Sequence, residues 1–291
     1  MRNRAATAIA LVAAIAAASF LVWFNRADIV QAAGLIAGPS DAAASSSSSP
    51  DSGAGIGMAT QPGAPLLVPA RVDVTVPGFF SWALLDRASG KISGSANLAT
   101  DTGSTESMIK VWISADYLRR LGSASPSQSR LTELSRMIRD SDDDAAEDVY
   151  QAGGANTVVQ RMIKICGLTD AALFDGWWSR TEISARDAVR LGACVADGRA
   201  AGAKWTPWIL GEMRQVRGEG RFGIIEALPA DAAARTSIKN GWTEVGSDWH
   251  VNCLAIVDNY VLAVLTQYPV ELGLQYGAGV CRNVAAQLQP R

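Results

Sequence analysis

Thr100–Leu121 reads TDTGSTESMIKVWISADYLRRL and sets Lys110 among Met108, Ile109, Val111, Trp112 and Ile113. Apolar residues at this spacing predict a helix from Ser107 to Leu121. An ammonium inside such a run is costly unless its surroundings compensate it. Residues three apart on a helix share a face, so Ser107 and Lys110 stand side by side. A serine hydroxyl is a weak nucleophile until a base takes its proton, and a lysine serves once burial lowers its pKa. Ser107 also lies near the helix start, where free N–H groups and the positive dipole end favour an oxyanion. The plainer alternative is that Lys110 snorkels to solvent and Ser107 helps to cap the helix.

On the N-terminal side, RVDVTVPG and FFSWALLDRASGKISGSAN alternate apolar and polar residues around a turn-rich DRASGK, which predicts a strand hairpin. On the C-terminal side the pattern is helical: Ser129 to Arg139, Ala145 to Gln151, Ala155 to Cys166, Ser184 to Asp197 with Ser184 and Asp187 as a capping box, and Trp205 to Gln215. Strands then return in RTSIKNGWTEV, DWHVNCLAIV and YVLAVLTQYP, the last two joined by Asp258-Asn259, and a helix from Leu272 to Leu288 closes the chain. Strands at both ends with helices between them predict an α+β domain: an antiparallel sheet flanked by helices, with a separate helical lobe.

Two further stretches bear on Ser107 and Lys110. MIRDSDDDAAEDVY holds Ser141-Asp142-Asp143 between two predicted helices, and SIKNGWTEV holds Lys239-Asn240-Gly241 on a predicted strand. With Ser107-x-x-Lys110 before them, the sequence resembles the serine β-lactamase and penicillin-binding protein superfamily, nearest to the class A β-lactamase-related serine hydrolases, whose motifs Ser-x-x-Lys, Ser-Asp-Asn and Lys-Thr-Gly follow in this order. The likeness runs over the whole globular region and implies the β-lactamase/DD-peptidase-like fold. It implies Ser107 as the acylated nucleophile, Lys110 as its base or proton relay, and Ser141 as the donor of a proton to the leaving nitrogen. Lys239 would hold a substrate carboxylate, and the N–H groups of Ser107 and Trp242 would form the oxyanion hole.

The chain departs from the family pattern at several points. Asp143 stands where Asn is usual; a carboxylate there would favour the Lys110 ammonium, or bind a cationic or amide group, or simply serve a solvated helix start. Asn240 replaces Thr or Ser and can still donate to a carboxylate, while Trp242 either crowds the cleft or packs in the core. The loop GLTDAALFDGWWSRTEISARD has no evident Glu-x-x-x-Asn, the element with which efficient class A enzymes deacylate. The acids available in it are taken as Asp175 and Glu182, the latter expected in the first turn of the next helix. Few residues separate the first two motifs, which implies a trimmed helical lobe. His250, in SDWHVN, reads as the start of a strand.

The 291 residues carry a net charge of -2, with no bias toward nucleic acid. Residues 1–30 place Arg2 and Arg4 before an apolar run from Ala5 to Phe24, an export signal that is either a transmembrane anchor or a cleavable signal peptide. Residues 31–70 are an Ala, Ser, Gly and Pro tether, and 71–291 form the globular domain. The first cysteine is Cys166, so no cysteine near the N-terminus is available for lipid attachment. Four cysteines in an exported chain allow three pairings; Cys166 with Cys194 and Cys253 with Cys281 suits the predicted elements, the alternative being buried thiols. No two cysteines are close in sequence and His250 is the single histidine, so neither a metal nor another cofactor is expected.

The expected activity is that of an exported, extracytoplasmic serine hydrolase forming an acyl-serine with a β-lactam or a peptidoglycan-like peptide. The expected partners are that ligand and, through the N-terminal segment if it is retained, the membrane. Two alternatives stay open: a catalytically silent module that binds a cell-wall fragment or a partner protein, and a DD-peptidase.

Overall fold

The computed structural model describes residues 64–290; the predicted export segment and most of the predicted tether lie outside them. The first strands are β1 (Phe79–Asp86), β2 (Ile92–Gly94) and the short β3 (Thr102–Ser104). A helical stretch follows: α1 (Lys110–Arg120), α2 (Gln128–Arg139), α3 (Asp143–Ala152) and α4 (Asn156–Cys166). Next come β4 (Glu182–Ser184), α5 (Ala185–Ala196), α6 (Thr206–Arg214), α7 (Ile224–Ala227) and α8 (Ala230–Arg235). The chain ends with β5 (Ser237–Ile238), β6 (Gly241–Val245), β7 (Asp248–Val257), β8 (Tyr260–Pro269) and α9 (Gly273–Gln287).

The main sheet is antiparallel, in the order β2-β1-β8-β7, with β5 and β6 following one another along the free side of β7. Strands β7 and β8 form the long hairpin turning at Asp258-Asn259, as the sequence predicts, with Val257 opposite Tyr260. Both faces of this hairpin are covered, so its residues are buried from Val251 to Val257 and again from Val261 to Thr266, on either side of the exposed turn. Alternation assigns the faces. A Cβ on Gly192 of α5 would meet Leu254 and Val261, while one on Gly277 of α9 would meet Val251 and Tyr268. Leu254 therefore faces α5, and Val251 and Cys253 face α9.

Helix α1 is the axis of the helical lobe. Its residues from Lys110 to Asp116 are all buried, which explains a pattern with no polar face. Trp112, fully buried, donates from Nε1 to the Val158 carbonyl of α4 at 2.8 Å, so its one polar atom is satisfied. Asp116 receives Arg119, Arg120 and Arg161, which closes the far end of α1 against α4.

Several expectations need correction. Arg71–Pro77 joins no strand; the hairpin is β1 and β2 alone. The tether ends before Arg71: Leu67 is in the core and Val68 N–H donates to the Leu288 carbonyl, because the chain must cover the end of α9. The α5 cap is half of the expected box. Ser184 Oγ accepts from the Asp187 N–H, but the Asp187 carboxylate instead receives the N–H groups of Asp170 and Ala171. Glu182 lies in β4, paired with Ser104 of β3, ahead of the helix it was expected to begin. The sequence pattern also missed β3, β4, α7 and α8, which are too short to carry periodicity.

Both expected disulfides are present, Cys166–Cys194 joining α4 to α5 and Cys253–Cys281 joining β7 to α9. Each closes a loop with a sequence separation of 28. Replacing Cys253 and Cys281 together by Ala is expected to lower unfolding free energy by about 3 kcal/mol, read as a lower denaturant midpoint.

Candidate active site

Ser107 lies in a 3-10 turn, Glu106–Ile109, that feeds directly into α1 at Lys110. Glu106 enters the turn with a φ of 48°, a conformation that L-residues adopt at a cost. The turn is held by the Thr105 N–H to the Thr181 carbonyl, 2.8 Å, and by its contacts with the edge strand β6. Gly241 is what lets that strand approach: a Cβ there would lie 2.7 Å from the Thr105 carbonyl oxygen and 2.8 Å from the Ser107 nitrogen.

Strands β5 and β6 keep one register against β7, with Ile238 opposite Ala255 and Gly241 opposite Asn252. Lys239 N–H donates to the Leu254 carbonyl at 3.0 Å. Since bonded and non-bonded pairs alternate along an antiparallel ladder, the Trp242 N–H turns away from β7, off the sheet edge. The Ser107 N–H has no backbone acceptor among the described residues. These are the two donors expected to meet an oxyanion.

Lys110 does not snorkel; its side chain is fully buried. Its ammonium donates to the Ser141 carbonyl at 2.5 Å, to Ser141 Oγ at 3.2 Å and to the Asp143 carboxylate. That uses all three of its hydrogens, and no hydrogen bond joins it to Ser107 Oγ. Ser141 turns its carbonyl and hydroxyl to the same side by adopting a left-handed φ of 59° between α2 and α3. Asp142, next in the chain, caps α3 by accepting from the Ala145 N–H.

Lys239 arrives from the sheet edge and is also buried. It donates to the same Ser141 Oγ at 2.9 Å and to the Asn240 carbonyl at 3.1 Å. Two lysines thus flank one hydroxyl, with a single carboxylate in contact with one of them. Burial pushes Lys110 below its ordinary value, against the opposing pull of Asp143. Burial, and then the neighbouring Lys110 charge, push Lys239 well below its own. Asp143 pulls toward the ammonium as expected, but desolvation outweighs the carboxylate.

Asn240 does not face the cleft as expected. It is buried and donates both side-chain hydrogens inward, to the carbonyls of Gly220 at 3.0 Å and Phe222 at 2.9 Å, fixing the loop before α7. Trp242 is half-buried, packed edge-on against Phe222 with one face toward the cleft. His250 sits behind the site, its Nδ1 2.7 Å from Ser104 Oγ, which also donates to Glu106.

A cleft of about 490 Å³ opens at Ser107, and a neighbouring space of about 550 Å³ continues past Ser141 and Trp249. The loop between α4 and β4 forms one wall through Trp177, Trp178 and Arg180. Trp178 places its ring 5.3 Å from the Lys110 ammonium and donates to Glu147 at 2.9 Å. Asp175 is engaged by Asn156, away from Ser107. Sequence reasoning missed Glu106, Glu147 and Glu244 as cleft residues. Glu147 was within reach of it, being four residues beyond Asp143 and so on the same face of α3.

Lys239→Met is expected to stabilise the fold by about 1 kcal/mol at neutral pH, since it removes a buried cation that no carboxylate contacts. With its folded pKa below the ordinary 10.5, Lys239 binds more proton in the unfolded chain, so wild-type stability should rise with pH. Denaturant curves between neutrality and about pH 9.5 should show that rise shrink in the variant.

No protein-family model matches the sequence. Over 186 residues, 58% of this chain, it is 33% identical to "Putative lipoprotein LppW" of Mycobacterium tuberculosis and to the protein of that name in Mycobacterium bovis. The match spans 56% of those relatives, so the chain covers about half of their length. Among solved structures, a β-lactamase from Chitinophaga pinensis superposes with a TM-score of 0.59 at 15% identity, covering 72% of this chain and 92% of that one. A β-lactamase from Burkholderia vietnamiensis gives 0.59 at 15% identity, covering 72% and 89%. An ancestral class A β-lactamase gives 0.57 at 15% identity, covering 72% and 93%. The chain has the fold of the class A β-lactamases.

Proposed function

We propose that this chain is an extracytoplasmic serine hydrolase that forms a long-lived acyl-ester on Ser107. The observation that carries the reading is the buried chain Lys110–Ser141–Lys239 behind a serine that opens on a cleft. Two disulfides and relatives with a lipoprotein name support the location. All four cysteines of this sequence are in those disulfides, so the membrane tie we assign is the apolar segment of residues 1–30.

In the proposed reaction Ser107 Oγ attacks the carbonyl carbon of an amide or ester, and its proton passes to an unprotonated Lys110. The N–H groups of Ser107 and Trp242 hold the developing oxyanion. The carbon–nitrogen or carbon–oxygen bond breaks as Ser141 Oγ delivers a proton to the leaving atom and is reprotonated from a flanking lysine. The acyl group stays on Ser107. Deacylation needs a base for water, and the loop between α4 and β4 offers Lys110 an indole in place of a carboxylate. Of that loop's acids, Asp170 is held by Arg186 and Ser184, and Asp175 by Asn156. A β-lactam and a peptidoglycan-like peptide both fit this chemistry, and a DD-peptidase differs only in its acyl acceptor.

A second reading has its own observation: Lys110 spends its three hydrogens on Ser141 and Asp143 and none on Ser107. In that reading the cleft binds a wall fragment or a partner protein and turns nothing over. Intact mass after incubation with a β-lactam, beside Ser107→Ala, separates the two. A stable adduct confined to the parent is expected; neither adduct nor drug consumption would leave the binding module.

Asp143→Asn is expected to speed acylation by about tenfold, well inside the range a general base commands. It removes the carboxylate that favours the Lys110 ammonium. In the parent, the rate of adduct formation should climb with pH as the lysine loses its proton, and in the variant the climb should begin at lower pH. An unchanged profile would remove Asp143 from the account.

A further inference from the structure

Four carboxylates ring the proposed acylation cleft without an ion-pair partner among the described residues: Asp144 and Glu147 on α3, Glu219 in the turn after α6, and Glu244 on β6. All four are exposed. The other acids of the cleft are compensated, Asp143 by Lys110, Glu106 by Arg180 and Asp140 by Arg217. Four surplus negative charges around one opening stand out in a chain whose net charge is -2.

The positive groups do not answer them. Lys110 and Lys239 are buried, Lys110 with all three hydrogens committed and Lys239 with two of its three, and Asn240 is turned into the core. Arg180, the one cation lining the cleft among the described residues, reaches toward Glu106 and lies over the Trp177 ring at 5.2 Å. The resemblance led to an expected carboxylate site at Lys239 and Asn240; this geometry gives an incoming anion little to bind and a ring of charge to pass.

Aromatic faces complete the arrangement. Trp177, 54% exposed, and Trp242 line the cleft with Trp249; the first two each already carry a cation, Arg180 at 5.2 Å and Lys239 at 5.8 Å from the ring centroid. Indole faces beside carboxylates hold organic ammonium groups, through the ring quadrupole and through charge. No three His, Cys, Asp or Glu side chains among the described residues converge as metal ligands, which favours an organic cation over a divalent ion.

We propose that the cleft selects a cationic, amine-bearing acyl donor. This rests on the acylation reading for its chemistry and on the cleft electrostatics for its selectivity, and the two are separable. The full chain is assayed with the 4-nitrophenyl esters of Nα-acetyl-lysine, Nα-acetyl-norleucine and Nα-acetyl-glutamate, subtracting the Ser107→Ala background. Tryptophan fluorescence is titrated in parallel with the three corresponding amides.

At low salt the lysine ester should be favoured over the glutamate ester by about tenfold in kcat/KM, with norleucine between them. Molar salt should bring the three close together, and Glu147→Gln with Glu244→Gln should cut the preference several-fold. Equal rates for lysine and norleucine, or a preference for glutamate, overturn the selectivity while leaving acylation standing. Tighter binding of the lysine amide without any Ser107-dependent ester turnover upholds the selectivity and overturns acylation. Binding of none of the amides at millimolar concentration, with no ester preference, overturns the selectivity outright.

Discussion

Everything around the cleft depends on how one hydroxyl, Ser141 Oγ, is shared by two buried lysines. Lys110 comes from the helical lobe and Lys239 from the sheet edge, and they meet at an atom on the turn between α2 and α3. Each ammonium has left water, a loss that must be made good locally. The Ser141 carbonyl and the Asp143 carboxylate do this for Lys110; Lys239 has only Ser141 and its neighbour's carbonyl. Burial pushes Lys110 below its ordinary value despite Asp143, and a lysine pushed toward neutrality can take a proton from a serine.

The backbone around this point is shaped to permit it. Ser141 and Glu106 both hold positive φ, one aiming a carbonyl at Lys110 and the other setting the turn that carries Ser107. Gly241 lets the sheet edge close on that turn within a distance no side chain would tolerate. Such strain persists only where surrounding structure over-determines it. Here that structure is the doubly covered β7–β8 hairpin, the buried α1 and two disulfides.

Asp143 and Trp178 set this site apart from the motif pattern it resembles. One engages the lysine that would activate Ser107, and the other covers the same lysine with an indole. In the reaction we propose, both would favour a slow or single-turnover cycle over rapid hydrolysis. In the selectivity we propose, the uncompensated acids on α3, β6 and the turn after α6 would act on a different step, the choice of ligand charge.

The sequence by itself determined the order of the longer elements, because extended apolar runs bounded by turn residues mark them, while β3, β4, α7 and α8 are too short to be marked. It also determined Ser107, Lys110, Ser141 and Lys239 as the residues to examine, since their types and order match a motif set, and it paired the cysteines correctly. What it could not decide were directions. Asn240 turned inward rather than toward the cleft because two loop carbonyls needed donors there. The apolar neighbours of Lys110 already pointed to desolvation, but that it outweighs Asp143 depends on every element packed around the lysine, a sum that no local pattern contains. The surplus charge of the cleft was likewise invisible, as its four acids come from three separate elements and only the tertiary fold brings them to one opening.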